Sequence, residues 1–201
     1  MNALVIGKPN AGKSLFVLNF AAYLGLKEIR LEVTDGEGGA HHQRLPLERA
    51  RHQLVSRAPH RTGVAHLIAI ELADGKSRRT LTLVDTVGIS EGIHDQLMVR
   101  RAMADTLDRL SHSHLVLHLV DACAVHTDRV EALGAVDDEI VRYASPNRPY
   151  AILANKMDAP GSADGLRLVR DRYRGLPVLG ISALTRRGFR EVKSFVFRHL
   201  A

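Results

Sequence analysis

The stretch Gly7-Lys8-Pro9-Asn10-Ala11-Gly12-Lys13-Ser14 carries the pattern G-x-x-x-x-G-K-S, whose residue types suit a bound polyphosphate. Glycines let the backbone curl so that successive N–H groups face an anion, and a helix starting there adds its positive N-terminal end. Lys13 is then placed to reach the β- and γ-phosphates, and Ser14 to offer its hydroxyl to Mg2+. Gly7, Asn10, Ala11, Gly12 and Leu15 complete the candidate nucleotide-contacting loop. Further on, Asp85-Thr86-Val87-Gly88 supplies an acid of the kind that holds Mg2+ through a water. Gly88 adds an N–H that can approach a γ-phosphate with no side chain in the way.

Two other segments suit a base. In Asn155-Lys156-Met157-Asp158, the Asp158 carboxylate can accept hydrogen bonds from both N1–H and the exocyclic amine of guanine. Adenine presents an acceptor at N1 and no amine at C2, so the wrong base leaves the acid unpaired. Sites built on such polar pairs discriminate by ~10⁴-fold. Lys156 is expected along the base plane and Asn155 as a brace between loops. The backbone N–H of Ala183, flanked by Ser182 and Leu184, is expected at the guanine carbonyl. The predicted ligands are therefore GTP or GDP with Mg2+.

These residues need strand ends to hold them. Ala3 to Ile6 reads as a buried strand and Leu15 to Leu24 as the following helix, so the glycine loop falls at a strand-to-helix turn. Lys27 to Val33 and Ala40 to Leu45 read as a hairpin around Asp35-Gly36-Glu37-Gly38-Gly39, and Leu47 to Val55 as a helix. Val64 to Leu72 and Thr80 to Val84 form a second hairpin, which delivers Asp85. A helix is expected over 95–110, a strand over 115–120, and a helix capped by Thr127 or Asp128 running to about Ala144. Then come a strand over 150–154, a helix over 163–174, a strand over 178–181 and a last helix from Gly188 to Leu200. Alternating strands and helices predict a doubly wound, mainly parallel α/β sheet with its ligand loops at the carboxyl ends of the strands.

The chain has 201 residues, 45% hydrophobic and 25% charged, which fits one globular domain. A single cysteine, Cys123, and the lack of a charged-then-apolar leader point to a cytoplasmic setting, and no apolar run suggests a membrane span. The formal charge is +6, with 22 arginines and 6 lysines scattered along the chain. That balance admits RNA as a partner, but few aromatics are available to stack on bases, and solvated helix faces account for it more simply. His41, His42, His52 and His60 lack paired metal-ligand spacing and read as solvated polar residues.

On the segments Gly7 to Ser14, Asp85 to Gly88, Asn155 to Asp158 and Ser182 to Leu184, together with Thr62, the chain resembles the Era-like GTPases of the translation-factor-related class. The resemblance spans essentially the whole sequence. It implies a Ras-like P-loop G domain with a six-stranded sheet, one antiparallel edge strand, and an extended switch I insertion over residues 27–61 of a single 1–201 domain. It implies that Thr62 binds Mg2+ in the GTP state, with Thr34 the competing candidate, and that Lys13, Asn10, Thr62 and Gly88 serve catalysis. Asn10 matches the position at which relatives hold K+, often where two G domains meet as a homodimer. A protein effector acting through the switch regions, and RNA or the ribosome, are the further partners implied. Two departures stand out: Val87 replaces the usual proline, and Ile89 stands where many GTPases carry a water-orienting glutamine, so slow intrinsic hydrolysis is expected.

Overall fold

Ala3 to Gly7 are buried without exception, as a strand covered by helices on both faces requires. This strand, β1 (Asn2–Gly7), lies inside the sheet of the computed structural model, which describes residues 2–34, 40–54, 66–74, 77–85, 104, 106–128 and 132–199. The chain continues through α1 (Lys13–Tyr23), β2 (Glu28–Thr34), β3 (Ala40–Pro46), α2 (Leu47–Leu54), β4 (His66–Asp74) and β5 (Ser77–Asp85). After helical residues at 106–111 come β6 (Leu115–Asp121), α3 (Ala122–Asp128), α4 (Ala135–Ala144), β7 (Tyr150–Asn155), α5 (Ser162–Arg172), β8 (Val178–Gly180) and α6 (Phe189–Arg198).

The sheet order is β3-β2-β4-β5-β1-β6-β7-β8. Strands β5, β1, β6, β7 and β8 are parallel, so their carboxyl ends share one edge. Strand β4 is antiparallel to β5, and β2 is antiparallel to both β4 and β3. Among the described residues the sheet thus has eight strands rather than six, and two of them, β4 and β3, run against the parallel set rather than one. The reason is the hairpin at 28–46. Leu31 and Glu32 of β2 pair with Ile68 and Leu67 of β4, covering backbone groups that an edge strand would leave unpaired. Ile29, Leu45 and Ala50 are buried in the main core, so the described part of the 27–61 segment is built into the domain.

Alternation along each strand divides the core in two. Ala3 and Val5 face one side with α1 and α6, while Leu4 and Ile6 face the other with α4 and α5. On the first side Phe16 and Phe20 of α1 meet Phe189 of α6 edge-to-face at 5.5 Å between ring centroids, and all three are fully buried. On the second side Val116 and Ile152 pack beneath Ile140, Val169 and Tyr173. Between α4 and α5, Arg172 pairs with Asp138, and that hydrogen bond holds the Asp138 carboxyl below the usual carboxylate range.

One expected helix is really two. Helix α3 begins at Ala122, because Asp121 Oδ1 accepts from the N–H groups of Cys123 and Ala124 at 3.0 and 3.2 Å. Thr127, expected as a cap, lies inside that helix and donates its hydroxyl to the Ala124 carbonyl at 3.1 Å. A second helix, α4, starts after Gly134, whose N–H donates to Asp137 Oδ2 at 3.2 Å.

Replacing Phe189 by Ala should cost about 3–5 kcal/mol, because the ring fills the space between α1 and α6 and nothing flexible can refill it. Urea unfolding monitored by circular dichroism checks this; a loss under about 1 kcal/mol would mean that α6 is not anchored through this ring.

Candidate functional site

The loop after β1 is shaped by two close approaches. Gly7 has φ of 147°, and a Cβ there would sit 2.2 Å from the Leu119 carbonyl oxygen of β6. At Gly12, with φ of 93°, a Cβ would sit 2.4 Å from the Asn155 amide nitrogen. Asn10, exposed at the tip, also takes a left-handed conformation with φ of 62°. Gly12 is the N-cap of α1, so Lys13 and Ser14 occupy its first turn, followed by Leu15. The Lys13 ammonium is buried and donates to the carbonyls of Gly7 and Lys8 at 3.1 and 2.9 Å, folding over its own loop. Asp85 closes β5 opposite Val5 of β1, which places it at the same sheet edge. Thr62 and Gly88 lie outside the described residues.

The loops expected to read the base follow β7 and β8. Asn155, 2% exposed, donates its amide to the Ala11 carbonyl at 2.8 Å and accepts from the Ala183 N–H at 2.8 Å. One side chain thus ties the phosphate loop to the Ser182–Leu184 loop. The Ala183 N–H, expected at a guanine carbonyl, is here on Asn155. Ser182 donates its hydroxyl to Asp158 Oδ1 at 2.5 Å and accepts from the Thr185 N–H at 3.0 Å, so the carboxylate is held in place. A carboxylate has acceptor sites beyond that one. Backbone bonds from Ile181 to Ala154 and from Met157 to Ile181 lock the two loops together. Leu184, in the same loop, is 58% exposed.

Lys156 has φ of 68°, and its ammonium pairs with Asp121 Oδ2 at 2.5 Å. The other oxygen of Asp121 caps α3, so this one carboxylate organises the ends of both β6 and β7. Asp121 was not among the candidate site residues. Its signal is an acid between an apolar strand and a helix, which the N-cap preference makes legible.

A buried polar chain adjoins the phosphate loop. Asp137, 1% exposed, accepts from His118 Nε2 at 2.9 Å and pairs with Lys8 at 3.4 Å. His118 Nδ1 lies 2.6 Å from the Tyr150 hydroxyl, whose proton is retained because burial pushes its pKa well up. These partners assign the Nε2–H tautomer, with Nδ1 accepting from tyrosine. Among the described residues no group of three or more His, Cys, Asp or Glu side chains is placed to hold a metal.

The family described as 50S ribosome-binding GTPase matches residues 45–156, more than half of the sequence. The chain belongs to that family. GTPase Obg of Ruminiclostridium cellulolyticum is 30% identical over 136 residues, which cover 65% of this chain and 31% of Obg. GTPase Obg of Geobacillus thermodenitrificans is 30% identical over 135 residues, covering 65% of this chain and 30% of Obg. The chain therefore spans about a third of these relatives' length. In fold it is similar to an Era variant of Aquifex aeolicus bound to GDP·AlF4−, with a TM-score of 0.69 and 19% identity, over 100% of this chain and 56% of that one. Era in complex with MgGDPNP and nucleotides 1506–1542 of 16S ribosomal RNA gives a TM-score of 0.67 at 19% identity, over 98% of this chain and 56% of that one. The G domain of the T. maritima FeoB iron transporter gives 0.59 at 16% identity, over 100% and 99%. These likenesses bear out the P-loop G-domain fold. No described helix is long and apolar enough to cross a membrane.

Asn155→Ala should leave the Ala11 carbonyl and the Ala183 N–H without their shared partner, costing about 1–3 kcal/mol per stranded group. Calorimetric titration with GDP should show affinity falling at least tenfold alongside a lower Tm; unchanged binding would mean that the two loops hold their places without the tie.

Proposed function

We propose that this chain binds GTP with Mg2+ and hydrolyses it to GDP and phosphate, working as a nucleotide-controlled switch. The observation that carries this reading is the Asn155 bridge, which joins a phosphate-binding loop and a guanine-reading loop into one site. Family membership supports it independently. The match begins after the phosphate loop and ends at Lys156, so the loop, Asp158 and Ser182 rest on their own geometry.

The donor set fits magnesium. Ser14 in the first turn of α1, Asp85 at the end of β5 and Thr62 supply hydroxyl and carboxylate oxygens, the hard ligands that Mg2+ prefers. When bound, the ion neutralises charge shared between the β- and γ-phosphates. Lys13 exchanges its two loop carbonyls for phosphate oxygens, and the N–H groups of the loop and of Gly88 stabilise charge on the transferring group. Asp158 reads guanine while Ser182 fixes its orientation. Ile89 cannot orient water, so hydrolysis draws help from elsewhere. Asn10, exposed at the loop tip, is the proposed ligand for K+, with switch I supplying the rest of the shell where two G domains meet face to face. Effector binding is proposed at the switch regions, with the 27–61 segment leading into Thr62.

The reading that this is a ribosome- or RNA-associated GTPase is also proposed, supported by the family's description and by the rRNA complex of Era. A scaffold that holds GTP without hydrolysis is the competing account.

Guanine selectivity should move with one side chain. Asp158→Asn should weaken GTP by orders of magnitude and improve xanthosine triphosphate, whose C2 carries oxygen in place of the amine; equal ATP and GTP affinity in the unaltered protein would end this assignment.

Single-turnover phosphate release should occur, and faster in KCl than in NaCl at equal ionic strength. Asn10→Ala should abolish the difference and Lys13→Ala the nucleotide binding itself. GTP retained intact over hours would favour the scaffold, and equal rates in both salts would remove potassium.

A further inference from the structure

We propose that the outer face of α6, with the loop leading into it, docks the phosphate backbone of RNA; the proposal rests on the ribosome-associated reading above and names the surface that serves it. Residues 162–199 hold nine Arg and Lys against three Asp and Glu, an excess of six. That equals the formal +6 of the entire chain, so everything outside this stretch is balanced. The arginines scattered along the sequence thus conceal a charge concentrated in the C-terminal part of the domain.

Within the stretch, the two helices differ. On α5 and just after it the excess is largely answered: Arg167 pairs with Asp164, Arg172 with Asp138 and Arg174 with Asp171. Around α6, Arg186, Arg187, Arg190, Lys193 and Arg198 are all exposed, and among the described residues no carboxylate lies within ion-pair range of any of them. Phe189, Val192 and Val196 take the opposite side of the helix into the core. At 100° per residue Arg190, Lys193, Ser194 and Arg198 share the solvent arc with one acid, Glu191, and Arg190 to Arg198 spans about 12 Å. Helix stability accounts for Arg198 in the last turn but not for Arg186, Arg187 and Arg190, which lie just ahead of and inside the first turn and oppose the helix dipole.

The chemistry favours phosphate. Four of the five cations are arginines, whose planar forks match phosphate oxygens two at a time. A lipid surface fits poorly, since the apolar side of α6 is already in the core and nothing remains to enter a membrane. The surface also begins inside the base-reading loop: Ser182 N–H donates to the Arg187 carbonyl at 3.0 Å, and the Arg187 guanidinium donates to the Met157 carbonyl at 3.3 Å. RNA held there lies against the segment that positions Asp158.

The test measures fluorescence anisotropy of a fluorescein-labelled 20-nucleotide RNA with the GDP-bound chain at 50 and 200 mM KCl, and with polyglutamate as competitor. One variant carries Arg190→Glu, Lys193→Glu and Arg198→Glu; a control with the same change in charge carries Arg167→Glu, Arg170→Glu and Arg174→Glu. The α6 variant should lose more than tenfold in RNA affinity and about two from the logarithmic salt slope, as three lost phosphate contacts on a single strand require. The control should lose less than threefold. Labelled-GDP affinity should stay within twofold in both, which certifies the fold; should the glutamates disturb it, the same three positions changed to Gln give the reading. Equal losses in both variants would overturn the α6 surface while leaving RNA association standing. Absence of RNA binding by the unaltered chain at 50 mM KCl would overturn both, and polyglutamate competing as well as RNA would reassign the face to an acidic protein.

Discussion

A single buried amide, that of Asn155, decides whether the strand ends form one site or several loops. Its nitrogen and oxygen are both used, one on the phosphate loop 144 residues away and the other on the loop 28 residues downstream. A buried amide without partners is costly, so this geometry is enforced from both directions. Gly12 belongs to the same constraint, because any side chain there would occupy the space that the amide fills. The parallel register of β1, β6 and β7 is what brings the three positions within reach.

Charge inside the domain is handled by the same economy. Asp137 is buried on α4, and its carboxylate is answered by Lys8 of the phosphate loop, by His118 of β6 and by a backbone N–H at its own helix start. Tyr150 closes the chain beyond the imidazole. Every polar atom along this route has a partner, which is the condition under which a buried network orders a structure instead of destabilising it. The route also links the second residue of the loop to the helix layer on that side of the sheet. Asp121 does a comparable job at the surface, capping α3 with one oxygen and holding Lys156 with the other.

The antiparallel end of the sheet answers a different constraint. Strand β4 would present an unpaired row of backbone groups, and the 28–46 hairpin satisfies it while burying Ile29 and Leu45. What reads locally as an inserted hairpin therefore serves as sheet and core. The described part of this segment is coupled to β5, and through β5 to Asp85, by continuous hydrogen bonding.

By itself the sequence determined the doubly wound fold and the phosphate loop and marked the segments proposed to read guanine, because each depends on residue types at fixed local spacing. Gly7 and Gly12 mark backbone positions that side chains cannot occupy, and Asp158 marks a donor–acceptor pattern; neither needs a distant partner to be recognised. Helix boundaries between Asp121 and Ala144 were legible only in part, since Thr127 and Asp121 are both capable caps and the strand end chose Asp121. Only the tertiary structure decided that the hairpin joins the sheet, that Asn155 spans two loops, that His118 meets Asp137, and that, among the described residues, no carboxylate pairs with the cations of α6 while α5 pairs most of its own. Those outcomes depend on strand register and on which helix faces turn inward. Both are set by contacts between residues tens of positions apart, which local periodicity does not encode.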